Sequence, residues 1–195
     1  MSDGKIKTAM EKALERSEQF REVSAAELKM MEYKPKGNTI AGNFLNNNTD
    51  ITSELEQTPE DIRSFVLTGI EETLLQNITL PENERAGQIS KKALAGLQQI
   101  KEDNETLNHI ISELEYLFNY YQQAVEQAKS SVHAKLAHKF QAAMQQMEAQ
   151  YGSSMQVDLE SQPEFQTELR KVTSDLNQRF ESSLQQAKTK IKSLN

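Results

Sequence analysis

The sequence predicts an all-α protein, an elongated antiparallel helical hairpin or coiled coil with a small N-terminal helical bundle. Three observations carry that expectation. Apolar residues recur at spacings of three and four over most of the chain, which is the helical period. Only seven glycines and four prolines interrupt 195 residues. Each proline stands at a candidate segment edge, whereas an all-β chain needs many more turn residues. Trp is absent and aromatics make up 6%, too few for a thick core. They suit the narrow stripes that long helices bury against one another.

The elements follow in order. Lys5 to Arg21 forms a first helix, with Ile6, Met10, Ala13, Leu14 and Phe20 near one face. Ser24-Ala-Ala-Glu27 reads as a capping box opening a short helix to about Tyr33. Pro35 and Gly37 end it. Thr39 to Leu45 makes one or two turns carrying Ile40, Phe44 and Leu45, and the run Asn46 to Asp50 favours loop. Thr58-Pro59-Glu60-Asp61 starts the next helix, with Thr58 as N-cap, Pro59 as first helical residue and two acids in the first turn. Ile62, Phe65, Val66, Ile70 and Leu74 line its apolar face as far as about Asn77, and Leu80-Pro81 breaks the chain.

From about Glu82 to Tyr151 the spacing predicts one continuous helix, on the order of 100 Å long. Its stripe is heptad-like through Ala93, Leu97, Ile100, Asn104, Leu107, Ile111, Leu114, Phe118, Tyr121, Val125, Ala128 and Val132. It continues through Leu136, Phe140, Ala143 and Met147 with a stutter, and Gly152 closes it. Asn104 is a polar residue in the seam, of the kind that fixes register. Ser161, Pro163 and Glu164 open the last helix with a capping box, and its stripe is Phe165, Leu169, Val172, Leu176, Phe180, Leu184, Ala187, Ile191 and Leu194.

The two stripes match when one is read backward, stutter against stutter, as an antiparallel pair requires. That match sets Met147 near Phe165, Phe140 near Val172, Leu136 near Leu176, Val132 near Phe180 and Tyr121 near Ile191. Residues 148–164 then form the connection. The proximal heptads from Ala93 to Leu114 take the Pro59–Asn77 helix as their antiparallel neighbour. The expected division is residues 1–57 as N-terminal helices and linker, 58–118 as a proximal bundle and 119–195 as the distal hairpin.

Composition narrows the function classes. There are no cysteines, which excludes disulfides and thiolate chemistry. No apolar leader opens the chain and no apolar run is long enough to span a bilayer, so a cytoplasmic protein is expected, without membrane contact. Between Asp50 and Arg85 nine acids and two bases give −7, the net charge of the whole chain. No basic face is concentrated enough for nucleic acid. Lys188, Lys190 and Lys192 read as charges offsetting a helix C-terminus.

No catalytic, cofactor or metal constellation emerges. Glu105, His109 and Glu113 share one helix face, the single foothold for a metal-dependent enzyme, and read as a solvated face instead. Tyr116, Phe118, Tyr120 and Tyr121 read as a crowded helix junction, with Phe118 and Tyr121 in the seam. The candidate partner-binding residues are Ile40, Phe44, Leu45, Glu71 and Glu72, an apolar turn and an acidic pair. Long helices with thin cores favour a protein partner over chemistry, so a non-enzymatic scaffold or adaptor is expected, with homo-oligomers possible in principle. A chaperone-like or stalk component acting through the hairpin tip is the alternative.

The opening Lys5-Ile-Lys-Thr-Ala-Met-Glu-Lys-Ala-Leu14, the Ile78-Thr-Leu-Pro81 break and Pro163-Glu-Phe165 carry a resemblance. On them the chain resembles, over nearly its full length, a family of uncharacterised bacterial proteins of about this length. The resemblance implies a bacterial cytosolic origin and no known activity, and it carries no functional residues over.

Overall fold

A computed structural model describes residue 10, residues 24–151 and residues 158–194, without the side chains of 142–151. The described residues form six helices and no strand: α1 (Ala25–Asn47), α2 (Ile51–Glu56), α3 (Glu60–Gln76), α4 (Glu84–Ile100), α5 (Asn104–Tyr151) and α6 (Pro163–Lys192). Apart from Met10, the expected Lys5–Arg21 helix lies outside the described residues, as do Gly152 and the middle of the 148–164 connection.

The capping box at Ser24 forms as expected. The Ser24 amide donates to Glu27 Oε2 at 2.8 Å, and the Glu27 amide donates to Ser24 Oγ at 3.2 Å. The helix then runs on to Asn47, so Pro35 and Gly37 do not end it. Pro35 faces solvent, where water can hydrate the carbonyl that proline leaves without a donor. Gly37 is buried because α3 lies against it. A Cβ there would stand 2.0 Å from the Val66 carbonyl oxygen. The glycine marks a close helix crossing, not a terminus. Asn48, at φ 57°, caps α1 through its amide to the Phe44 carbonyl, a left-handed position asparagine tolerates.

Contacts advance together along α1 and α3. Lys29 pairs with Asp61, the Asn38 side-chain amide lies against Thr73, and Phe44 and Leu74 both press on Gly96. The two helices are therefore parallel, and α2 bridges the return. Thr58 does not cap α3: it is buried, and its hydroxyl donates to the Glu54 carbonyl at 2.8 Å, closing α2. α3 and α4 are antiparallel, with Thr79 on Ser90, Leu74 on Gly96 and Glu71 on Lys101.

The long helix expected from Glu82 to Tyr151 is two helices. Lys101 is extended (φ −93°, ψ 138°), and the Asp103 carboxylate accepts the Thr106 amide at 3.0 Å, restarting the chain as α5. The apolar stripe steps across this break without losing its period, so spacing alone reads straight through it. Asn104 is exposed in the first turn of α5, its amide donating to the Lys101 carbonyl, and is not a seam residue. The 48 residues of α5 still span roughly 70 Å.

α5 and α6 pack antiparallel: Lys139 pairs with Glu164, Lys135 with Glu168 and Glu113 with Lys190. The register differs from the expected one. Tyr121 meets Phe180, with ring centroids 5.3 Å apart, instead of Ile191, eleven residues further along α6. Phe165 packs with Val132 and Leu136, while the side chain of its expected neighbour Met147 lies outside the described residues. Eleven residues are three turns of a 3.67-residue period, so sliding α6 by that amount keeps its stripe on the same face. The stripes cannot choose between the two registers, whereas the Tyr121–Phe180 contact and the cross-pair charges do. α6 consequently reaches back along α5, and Phe180, Leu184, Ala187 and Ile191 join Leu107, Ile110, Leu114 and Phe118 in the main core. Leu107 and Leu114 thus have α6 as their cover, where the sequence suggested α3. No Ser161–Glu164 capping box forms at the start of α6, since Ser161 Oγ donates to Asp158 at 2.6 Å.

Candidate interaction site

The structure uses the five candidate partner-binding residues within the chain. Ile40 and Phe44 are buried in the main core, and Leu45 packs against it. The Leu45 carbonyl accepts Lys92 Nζ at 2.8 Å, and that ammonium stands 5.8 Å above the Phe44 ring. Glu71 pairs with Lys101 at 2.8 Å and Glu72 with Lys34 at 2.6 Å. On the metal foothold, His109 stands 3.8 Å from Glu113 on an exposed face, and Glu113 is shared with Lys190. Among the described residues no three His, Cys, Asp or Glu side chains converge on a metal-sized site.

Two polar assemblies fix the joint where α3 to α6 meet. Lys101 is buried at the α4–α5 break. Its ammonium binds Glu71 of α3 and donates to the Leu194 carbonyl just past α6. The second assembly begins at Tyr121, whose hydroxyl donates to Asn177 Oδ1 at 2.7 Å, while Asn177 Nδ2 donates to Glu82 at 2.6 Å. Burial, with a smaller push from the Glu82 charge, raises the Tyr121 phenol to about 12. It therefore stays a hydrogen-bond donor throughout the neutral range. Neither assembly is visible as a spacing pattern, because each joins residues distant in sequence.

Beyond Tyr121 the pairing thins. Leu107, Leu114, Leu184 and Ile191 are fully buried in the proximal part, where α3 and α4 contribute cover. Further out, Val125, Ala128, Leu169, Val172 and Leu176 hold seam positions yet are only partly buried. Two helices can cover only a narrow stripe of each other, so the flanks of this seam face solvent. Among the described residues Val132, Leu136 and Phe165 form a small buried cluster there, and Lys129–Glu160, Lys135–Glu168 and Lys139–Glu164 border it. At its inner end Tyr116 and Tyr120 stack at 6.5 Å, Tyr120 meets Phe180 at 5.6 Å, and the two tyrosines remain 75% and 56% exposed. The sequence placed Phe118 and Tyr121 in the seam, where they are. The i, i+4 spacing of Tyr116 and Tyr120 was the signal for a second, outward aromatic pair.

Among the described residues no helix is long and apolar enough to cross a membrane. The model of DUF6657, a family of unknown function, matches residues 52–193, and the chain belongs to that family. No curated protein and no solved structure matches it.

Proposed function

We propose that this member of DUF6657 is a non-enzymatic interaction protein, a helical scaffold or adaptor. On this reading the distal part of the α5–α6 pair receives a helix of another protein. The carrying observation is the half-buried seam at Val125, Ala128, Leu169, Val172 and Leu176. Leu107, Leu114, Leu184 and Ile191 of the same two stripes are fully buried where more helices cover them, so a third helix alongside the distal pair would deepen its burial. Tyr116 and Tyr120 add an amphipathic aromatic end to that surface, the residue type most enriched at binding hot spots alongside Trp and Arg.

The test is site-specific photocrosslinking in the producing cell. A photoreactive residue at Val172 or Leu176 should yield a discrete adduct with one other protein. The same residue at Lys171 or Asp175, exposed on α6, should not. Equal labelling at all four positions, or none at the seam, would defeat the proposal. Adducts only between copies of the chain would turn it into self-assembly.

A further inference from the structure

We propose that the cleft between α3 and α6 binds a small, doubly charged oxyanion of the phosphate type. This inference is independent of the interaction reading above. The cleft is about 330 Å³, near the lower end for small-molecule sites. Gln185, Lys188, Thr189 and Lys192 line it from α6, and Glu72, Leu75 and Gln76 from α3.

The chemistry of this lining is lopsided. Lys188 and Lys192 are four residues apart, so both ammonium groups project from one side of α6. Among the described residues neither has a carboxylate within ion-pair distance, while Lys190, between them in sequence, is paired with Glu113 on α5. Glu72 is the one carboxylate in the lining, and Lys34 already neutralises it at 2.6 Å. The side chains of Gln76 and Gln185 can donate hydrogen bonds, the Thr189 hydroxyl donates to the Gln185 carbonyl at 2.9 Å, and Leu75 gives the cleft an apolar patch. Lys188 is half-buried here, and desolvation pulls its pKa below the ordinary 10.5 against a weaker opposing pull from Glu181. A partly desolvated cation with no carboxylate at ion-pair distance among the described residues is a cost that a bound anion would lower.

Lysines in the last turn of a helix also offset its macrodipole, and Lys190 and Lys192 stand there. That effect leaves unexplained why Lys188 lies a turn earlier, half-buried in an interhelical cleft. It also predicts a different result on removal of the charge.

The experiment is a titration of the full chain with inorganic phosphate, followed by NMR of the lysine side chains and backbone amides. Chloride at matched ionic strength and acetate serve as controls. Saturable shifts are expected at Lys188, Lys192, Thr189 and Gln76 with phosphate only, together with a rise in the Lys188 pKa on binding. Lys188→Met and Lys192→Met should each weaken binding about tenfold, and Lys190→Met should leave it unchanged. The melting temperature of Lys188→Met without phosphate should be equal to or above that of the unaltered protein. The proposal is overturned by identical shifts in chloride, by no saturable response, by undiminished binding in Lys188→Met and Lys192→Met, or by a lower melting temperature for Lys188→Met.

Discussion

Gly37 and Gly69 meet where α1 crosses α3: a Cβ added to Gly37 would stand 3.0 Å from the Gly69 Cα and 2.0 Å from the Val66 carbonyl oxygen. The reciprocal Cβ on Gly69 would stand 2.2 Å from the Lys34 carbonyl oxygen. Both obstacles are backbone, which cannot rotate aside as a side chain would. The absence of two Cβ atoms sets how closely the helices approach, and it brings Cα hydrogens within reach of carbonyl oxygens.

Gly37→Ala and Gly69→Ala should therefore each destabilise the protein by roughly 2–3 kcal/mol, at the upper end for overpacking. Gly42 lies in the same helix with nothing within 4 Å of its Cβ position, so Gly42→Ala should stabilise by about 0.5–1 kcal/mol through helix propensity alone. Urea denaturation of the three variants checks both signs. A neutral Gly37→Ala would mean that the helices do not meet backbone to backbone.

Lys101 makes a second prediction. Removing it strands Glu71, whose side chain is 21% exposed, and frees the Leu194 carbonyl. Lys101→Met should cost roughly 3 kcal/mol, the range for breaking a mostly buried pair. The double variant Lys101→Met, Glu71→Met should cost less than the sum of the two single changes, because its second step no longer strands a charge. Strict additivity in a double-mutant cycle would show that the pair is not coupled.

Helix content was legible because the period of an apolar stripe is local, and Leu97, Leu114, Phe165 and Leu184 all take the buried positions it assigned them. Helix ends were less so. The Ser24–Glu27 box was readable, since both partners lie within one turn. The break at Lys101 was not, because Asp103 is an ordinary cap residue inside an unbroken stripe. Pro35 and Gly37 misled for the opposite reason: their local cost is real, and the tertiary contact with α3 overrides it. Register was ambiguous in principle, since a slide of eleven residues conserves the stripe. The partly covered distal seam was invisible to sequence, where every stripe residue looks equally apolar.

The Asp103 cap should show in the acid range. Side-chain and backbone hydrogen bonds from Thr106 hold its carboxyl below the ordinary 3.8. A lowered folded value means that the carboxylate contributes stability above the unfolded pKa and loses it as pH falls through the folded one. Asn at 103 can accept the same amide bond but does not titrate. Asp103→Asn should thus melt below the unaltered protein near neutrality, where the negative charge also favours the start of α5. The gap should close as pH falls through and below the ordinary carboxylate range. A gap independent of pH would remove the carboxylate from the account of how α5 starts.

The register of α5 against α6 gives the most discriminating test, because the chain has no cysteine of its own. Leu136 and Phe165 share the distal buried cluster, whereas the stripe match had set Leu136 against Leu176. Those two α6 positions are eleven residues apart, about 16 Å along the helix, far beyond the reach of a disulfide. A Leu136→Cys, Phe165→Cys double variant should therefore oxidise to an intrachain bridge with altered gel mobility and no loss of monomer. Leu136→Cys, Leu176→Cys should stay reduced under the same conditions. Both pairs share Leu136 and lie on the seam, and the more exposed position 176 is the easier one for an oxidant to reach, so bridging confined to 136–165 reports the slide. Bridging at 136–176 with none at 136–165 would restore the stripe-matched register. It would also detach Phe180 from Tyr121, and with it the cover that α6 gives Leu107 and Leu114.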